Sequence, residues 1–383
     1  MDLRTRIAGE IRRHGPMPFS RYMELCLYDP EQGYYSRTKE QFGKAGDFYT
    51  SSDVHAVFGR LLARQFDEMW RVLDAPPRLD IIELGPGRGL FAQDVLAWSR
   101  RKFPDFLQAI HYTLVESSSH LRVRLHERFP EAAGPGTSSG RGEGQGKLEI
   151  LNSLDELSPP AGPAIVFANE FFDALPVEVI DPRGALRVGL EGGRFVESFA
   201  EPSPEELEFL NRYGIPPRTG RVEATLAAAN CMRRICGLVR NGFLLAIDYG
   251  YTREELLAGR AANTVRAFRQ HTISDSPYEA PGEQDITAHV NFTALREAGL
   301  AAGMEAGNIL TQAQFLMGIG EANQFADAFE DVQLPQEHAK VALQLKNLVT
   351  PAGMGEVFQV LLMRRGVEKE QALQLSGMRY GRG

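Results

Sequence analysis

Between residues 79 and 250 the chain carries five short apolar runs, "LDIIEL", "HYTLVES", "KLEIL", "PAIVFANE" and "FLLAIDYG". Segments with helical apolar spacing lie among them. Runs apolar on both faces suit strands of a parallel sheet that helices cover on each side. The pattern predicts strands near 79–84, 111–116, 147–150, 164–168 and 243–248, with helices at 90–102, 118–129 and 221–240. That alternation is the signature of a doubly wound α/β domain.

The flanks complete the outline. Helices are expected at 2–14, 18–28 and about 53–73, with "LYDPEQGYY" making a turn through Asp29-Pro30 and Gly33. Residues 132–146, "AAGPGTSSGRGEGQG", read as a loop. "VEVIDPRGALRVGLEGGRFVESF" reads as a small antiparallel meander turning at Asp181-Pro182 and Gly192-Gly193. A helix at 292–302, a strand near 305–310, a helix at 336–348 and a strand at 356–363 end the chain. The division expected is a helical N-terminal segment at 1–75, including a cofactor lid loop, and a core at 76–383 with insertions at 176–222 and 251–290.

Composition narrows the function. In 383 residues the net charge is -8 and no lysine and arginine block stands out, which argues against nucleic acid as partner. No apolar stretch approaches the roughly 20 residues that span a bilayer, so no membrane insertion is expected. The N-terminus shows no leader pattern, and the expected location is the bacterial cytoplasm, or the mitochondrial matrix for a processed eukaryotic form. Cys26, Cys231 and Cys236 form no CxxC pair, and the 8 histidines show no ligand spacing, so no metal is expected.

The first strand ends at Glu83 and turns through Gly85, Gly87 and Gly89. Bare backbone at a sheet's carboxyl edge is where open α/β folds bind ligands. The spacing is GxGxG, not the dinucleotide GxGxxG, and no P-loop lysine follows. A nucleotide-like ligand without a pyrophosphate fits better, and Glu83 would attract a cationic group such as the ammonium of S-adenosylmethionine. Glu116, ending the second strand, is placed to accept both ribose hydroxyls.

The fourth strand runs into "NEFFDALP", which puts Asn169, Glu170 and Asp173 at the same edge. A guanidinium is a poor nucleophile because its charge is delocalised. A carboxylate paired to it through two parallel hydrogen bonds would orient it and leave the attacking nitrogen richer in electrons, and Glu170 is the candidate. Phe171 and Phe172 read as core rather than ligand-stacking residues. The loop with Gly46, Asp47 and Thr50 could fold over the cofactor. "IDYGY" and "PGEQDITAHVNF" bring Asp248, Tyr249, Asp285, Thr287 and His289 toward the same region.

Taken together, "PFSRYMELCLYDPEQGYY", "GDFYTSSDVHAVFG", "IIELGPGRGLF", "NEFFDALPVEV", "IDYGY", "PGEQDITAHVNF" and "GMGEVFQVL" resemble the MidA-like methyltransferases over nearly the whole chain. That family includes a mitochondrial protein arginine methyltransferase that assists assembly of respiratory complex I. The resemblance implies a class I, Rossmann-like methyltransferase fold with a seven-stranded sheet ending in an antiparallel strand, and S-adenosyl-L-methionine as cofactor. It implies cofactor contacts at Gly46, Asp47, Phe48, Glu83, Gly85, Gly87, Glu116 and Asn169, and an active site at Glu170 and Asp173, to which the motif reading adds His289. The implied acceptor is a protein arginine, with a NADH dehydrogenase subunit as one possible substrate; symmetric dimethylation is the family member's reaction. A homodimer, a small-molecule O- or N-methyltransferase and a cofactor-binding assembly factor without catalysis remain open. The chain departs from the family pattern at Ser52, Asp53 and Asn291.

Overall fold

In the structure, a computed structural model, the described residues are 2–37, 56–132, 147–217, 220–259, 263–269, 272–274, 276–330 and 332–381. The main sheet is built on β1 (Leu79–Leu84), β2 (Ile110–Val115), β3 (Lys147–Leu151), β4 (Ala164–Asn169), β5 (Gly242–Tyr251) and β6 (Phe358–Arg365). Their spatial order is β6-β5-β4-β1-β2-β3. All neighbours are parallel except β6, which runs antiparallel to β5.

Alternate side chains serve opposite layers, as a strand's two-residue period requires. Ile81, Ile165, Phe167, Leu245 and Val360 enter one core. Ile82, Val166, Ala168, Leu244 and Leu361 enter the other. The first core is covered by α3 (Ala56–Val72) and α4 (Leu90–Lys102), which bring Trp70 and Trp98 into it. The second is covered by α6 (Leu226–Cys236) and α7 (Phe292–Ala301). Two further helices matter below, α1 (Leu3–His14) and α2 (Phe19–Tyr28), as does α5 (Ser119–Arg128) after β2.

The sheet differs in count from the seven strands expected: it has nine strand segments. The run expected as one strand near 305–310 is broken into Glu305–Ala306 and Leu310–Thr311, both paired with β6, and Val290–Asn291 adds a short parallel pairing to β5. Gly307 and Asn308 interrupt the edge where apolar side chains would otherwise continue it. The helix expected at 221–240 is shorter, because Val222–Ala224 pairs with Glu178–Asp181 as a strand and α6 starts only at Leu226.

The meander is present as Glu178–Asp181, Gly184–Glu191 and Arg194–Ala200, and Met17–Pro18 also pairs with it, making a five-stranded sheet. α1 and α2 pack on that sheet around Tyr22, Met23, Leu186 and Val188 to form a third core. A three-stranded sheet of Arg266–Arg269, Thr272–Ser274 and Asp285–Thr287 forms where the sequence pattern predicts no strand. Ala267 and Ile286 of it join the third core. No described helix is long and apolar enough to cross a membrane.

Candidate active site

The chain passes outward from β1 to β3 and then returns across β1 to begin β4, so β1 and β4 are neighbours whose connections depart in opposite directions. A crevice opens at the carboxyl end of such a pair. Register fixes what lines it. Leu84 is paired with Val115 and with Ala168, and Val115 with Leu151. The next residues, Gly85, Glu116, Asn152 and Asn169, therefore stand in one row at the mouth of the sheet, and all four border a cavity of about 340 Å³.

The glycine turn has positive φ at Gly85 (62°), Gly87 (54°) and Gly89 (72°), torsions that a side chain disfavours. At Gly85 space is also tight: an added Cβ would lie 3.0 Å from Cδ2 of Phe171. Glu116 is buried, and its carboxylate accepts hydrogen bonds from the Gly87 amide (3.2 Å) and the Ser118 amide (2.8 Å). Turn and second strand are thus joined through this one side chain. Burial pushes Glu116 up to about 7, against the pull of those two amides.

Glu83 lies under the turn, outside the cavity lining. It is buried and accepts a hydrogen bond from the Tyr112 hydroxyl (2.7 Å), and burial raises it to about 8. On the β4 side, Asn169 donates from Nδ2 to Glu170 Oε1 (3.3 Å), while its buried Oδ1 has no partner. Glu170 borders the cavity in a left-handed backbone conformation, φ 48°. Of the two phenylalanines expected in the core, Phe172 is there, and Phe171, half-buried, packs against that core and also lines the cavity.

Asp173 and His289 are not in the cavity lining. Asp173 is buried behind it, with one oxygen accepting from the Tyr249 hydroxyl and the other, Oδ1, unpaired; burial raises it to about 6. His289 packs edge-on against the Tyr249 ring at 5.5 Å, and burial lowers it to about 4, so it is neutral at pH 7. Tyr249 is the shared neighbour of both. Gly46, Asp47 and Phe48, like Thr50, Ser52 and Asp53, lie outside the described residues. Asn291 caps α7, accepting from the Ala294 amide at 3.0 Å.

Among the lining residues that the sequence alone does not single out, two aromatic ones stand together. Tyr28 and Tyr35 pack 5.5 Å apart at the cavity. Tyr28 donates to Ala174 O (2.9 Å), Tyr35 donates to Asp285 Oδ1 (3.1 Å), and the Ser118 hydroxyl donates to Tyr35 O (2.5 Å). The end of α2 and the short turn after it thus supply one wall of the crevice. Cys231, half-buried, borders it as well, its thiol pushed up to about 11 by burial.

The donor set can be tested against the cofactor expected. Asn169 Oδ1 is an unmet buried acceptor at the cavity, suited to an amine, and Glu116 is an acceptor for hydroxyls. The turn brings the bare backbone of Gly85 and Gly87 to the cavity. These residues fit S-adenosylmethionine.

Known proteins agree. A crystal structure of a COG1565 superfamily member and likely methyl transferase from Burkholderia thailandensis, bound to S-adenosyl-homocysteine, superposes with a TM-score of 0.80 at 28% identity, covering 99% of this chain and 95% of that one. The model of an S-adenosyl-L-methionine-dependent methyltransferase family matches residues 61–310. The protein arginine methyltransferase NDUFAF7 homolog of Drosophila melanogaster, a mitochondrial protein, is 30% identical over 96% of this chain and 85% of its own length. The Danio rerio protein of that name, also mitochondrial, is 30% identical over 95% and 88%. The fold and the row of residues at its edge are those of an S-adenosylmethionine-dependent methyltransferase. Within that class, the chain belongs to the MidA-like family.

Proposed function

We propose that this methyltransferase acts on an arginine side chain of a protein, with Glu170 orienting the guanidinium. The observation that carries this reading is the placement of the Glu170 carboxylate at the cavity, next in the chain to Asn169 in the row of strand ends. The names of the relatives support it.

Each residue then has a task. Glu116 accepts the ribose hydroxyls, Asn169 Oδ1 accepts from the amino group, and the turn at Gly85 and Gly87 carries the rest of the cofactor against bare backbone. When bound, S-adenosylmethionine supplies a methyl group activated by a sulfonium charge. Glu170 pairs with two guanidinium nitrogens and so fixes the third for in-line attack, which is most of what such a transfer requires. The proton that nitrogen loses passes to solvent or to a nearby carboxylate. Asp173, behind the cavity wall, contributes negative charge that favours a cation at the mouth. Tyr28 and Tyr35 exclude water. A NADH dehydrogenase subunit is the first acceptor to try, in a bacterial cytoplasm or a mitochondrial matrix.

The test is transfer of labelled methyl from the cofactor to proteins of a cell extract, followed by acid hydrolysis. Label on methylarginine is expected. Label confined to small molecules would overturn the arginine reading and favour a small-molecule transferase. Glu170→Ala should lower transfer by about 100-fold or more with S-adenosylhomocysteine affinity little changed; unchanged transfer would remove Glu170 from the mechanism.

A further inference from the structure

Glu170 has a left-handed backbone conformation, φ 48°, that a residue with a side chain disfavours. Something must hold it there. Immediately after it, the amides of Phe171, Phe172 and Asp173 converge on a single oxygen, Oδ2 of Asp248, at 3.1, 2.9 and 3.2 Å. The other oxygen accepts from the amide of Tyr249 at 2.9 Å. Asp248 is fully buried near the carboxyl end of β5, one residue beyond the pairing of Ile247 with Asn169.

We propose that Asp248 is a positioning residue for methyl transfer: by gathering three consecutive amides onto one carboxylate oxygen it holds the turn that aims Glu170 into the cavity. Consecutive amides reach one oxygen when the backbone curls into a concave nest, and a left-handed residue at its start supplies that curl. The first of the three amides belongs to Phe171, whose ring lies against Gly85. One carboxylate on β5 therefore sets both the acceptor-side carboxylate and the ring abutting the cofactor turn. Asparagine cannot replace it. It offers one oxygen where the site needs two, so its amino group would face either the Tyr249 amide or the three converging ones.

The inference rests on the role given to Glu170 above, and its test separates the two. Asp248→Asn, Glu170→Gly and the double variant are compared by thermal melting, by calorimetric titration with S-adenosylhomocysteine and by label transfer to extract protein. Glycine at 170 relieves the strain, so Asp248→Asn should lower the melting temperature of the parent at least twice as much as that of Glu170→Gly. Asp248→Asn should also lose transfer about 100-fold, with the dissociation constant of S-adenosylhomocysteine shifting less than about tenfold. If Asp248→Asn alone fails to fold while the double variant folds, the proposal is supported directly. Equal melting losses in the two backgrounds, failure of both to fold, or full transfer by Asp248→Asn would overturn it. The melting comparison needs no activity and so stands apart from the identity of the acceptor.

Discussion

Two glutamates next to the glycine turn, Glu83 and Glu116, are buried and raised to about 8 and about 7. An acid whose pKa is higher folded than unfolded holds its proton more tightly in the native state, so its stabilising share is complete at low pH and is lost as pH rises through the folded value. His289, lowered to about 4, acts in the opposite sense, but its effect is complete by the unfolded value near 6.5. Above that only the carboxylates still titrate. The ligand-free protein should therefore lose stability between about pH 6.5 and 8, by up to about 1.4 kcal/mol per pH unit for each group, with Glu116 contributing only to about pH 7 and Glu83 on to about 8. Melting curves across that range check this, and Glu83→Gln should flatten the slope; a flat profile in the parent would contradict the burial argument. At this scale the sequence was informative about identity and less so about aim. Glu116 and Asn169 could be named because strand ends fix their place. The burial of Glu83 under the turn, and of Asp173 behind the wall, depended on which way each side chain left the backbone.

The start of α4 depends on one residue. The helix begins straight from Gly89, whose φ of 72° no side chain would favour, and a Cβ there would come within 2.7 Å of Leu125 and 2.8 Å of Phe129 on and just after α5. Gly89→Ala should destabilise the protein by roughly 1–2 kcal/mol from the backbone alone, with crowding against Leu125 and Phe129 adding to it. Chemical denaturation measures this, and a change under about 0.5 kcal/mol would show that the helices part easily. The strands of the main sheet were legible because apolar runs buried on both faces have little alternative. Shorter pieces were not. Val222–Ala224 and Met17–Pro18 become strands only because the meander's edges are there to pair with, and no local pattern records that.

Across the whole molecule, the third core sits apart from the two around the main sheet, yet Tyr28 and Tyr35 carry it to the crevice. A ligand bridging both parts should slow opening of each. Hydrogen exchange with S-adenosylhomocysteine is expected to protect residues 19–36 together with the turn at 85–89. Protection confined to the turn would mean that the N-terminal helices take no part in binding. The outline of the α/β domain could be read from its alternation, and the resemblance supplied the family, but the partnership of the N-terminal helices with the meander could not be foreseen. It is a contact between segments more than 150 residues apart, such as Ser20 and Glu178, whose side chains hydrogen-bond, that only the folded chain brings together.

Trp70 and Trp98 are the chain's two indoles. Both are buried in the core under α3 and α4, where Arg60 stacks on Trp98 at 4.6 Å, and neither borders the crevice. Intrinsic emission from this enzyme will accordingly follow unfolding while staying blind to occupancy, so a fluorescence screen for ligands needs a reporter introduced at the tyrosine wall.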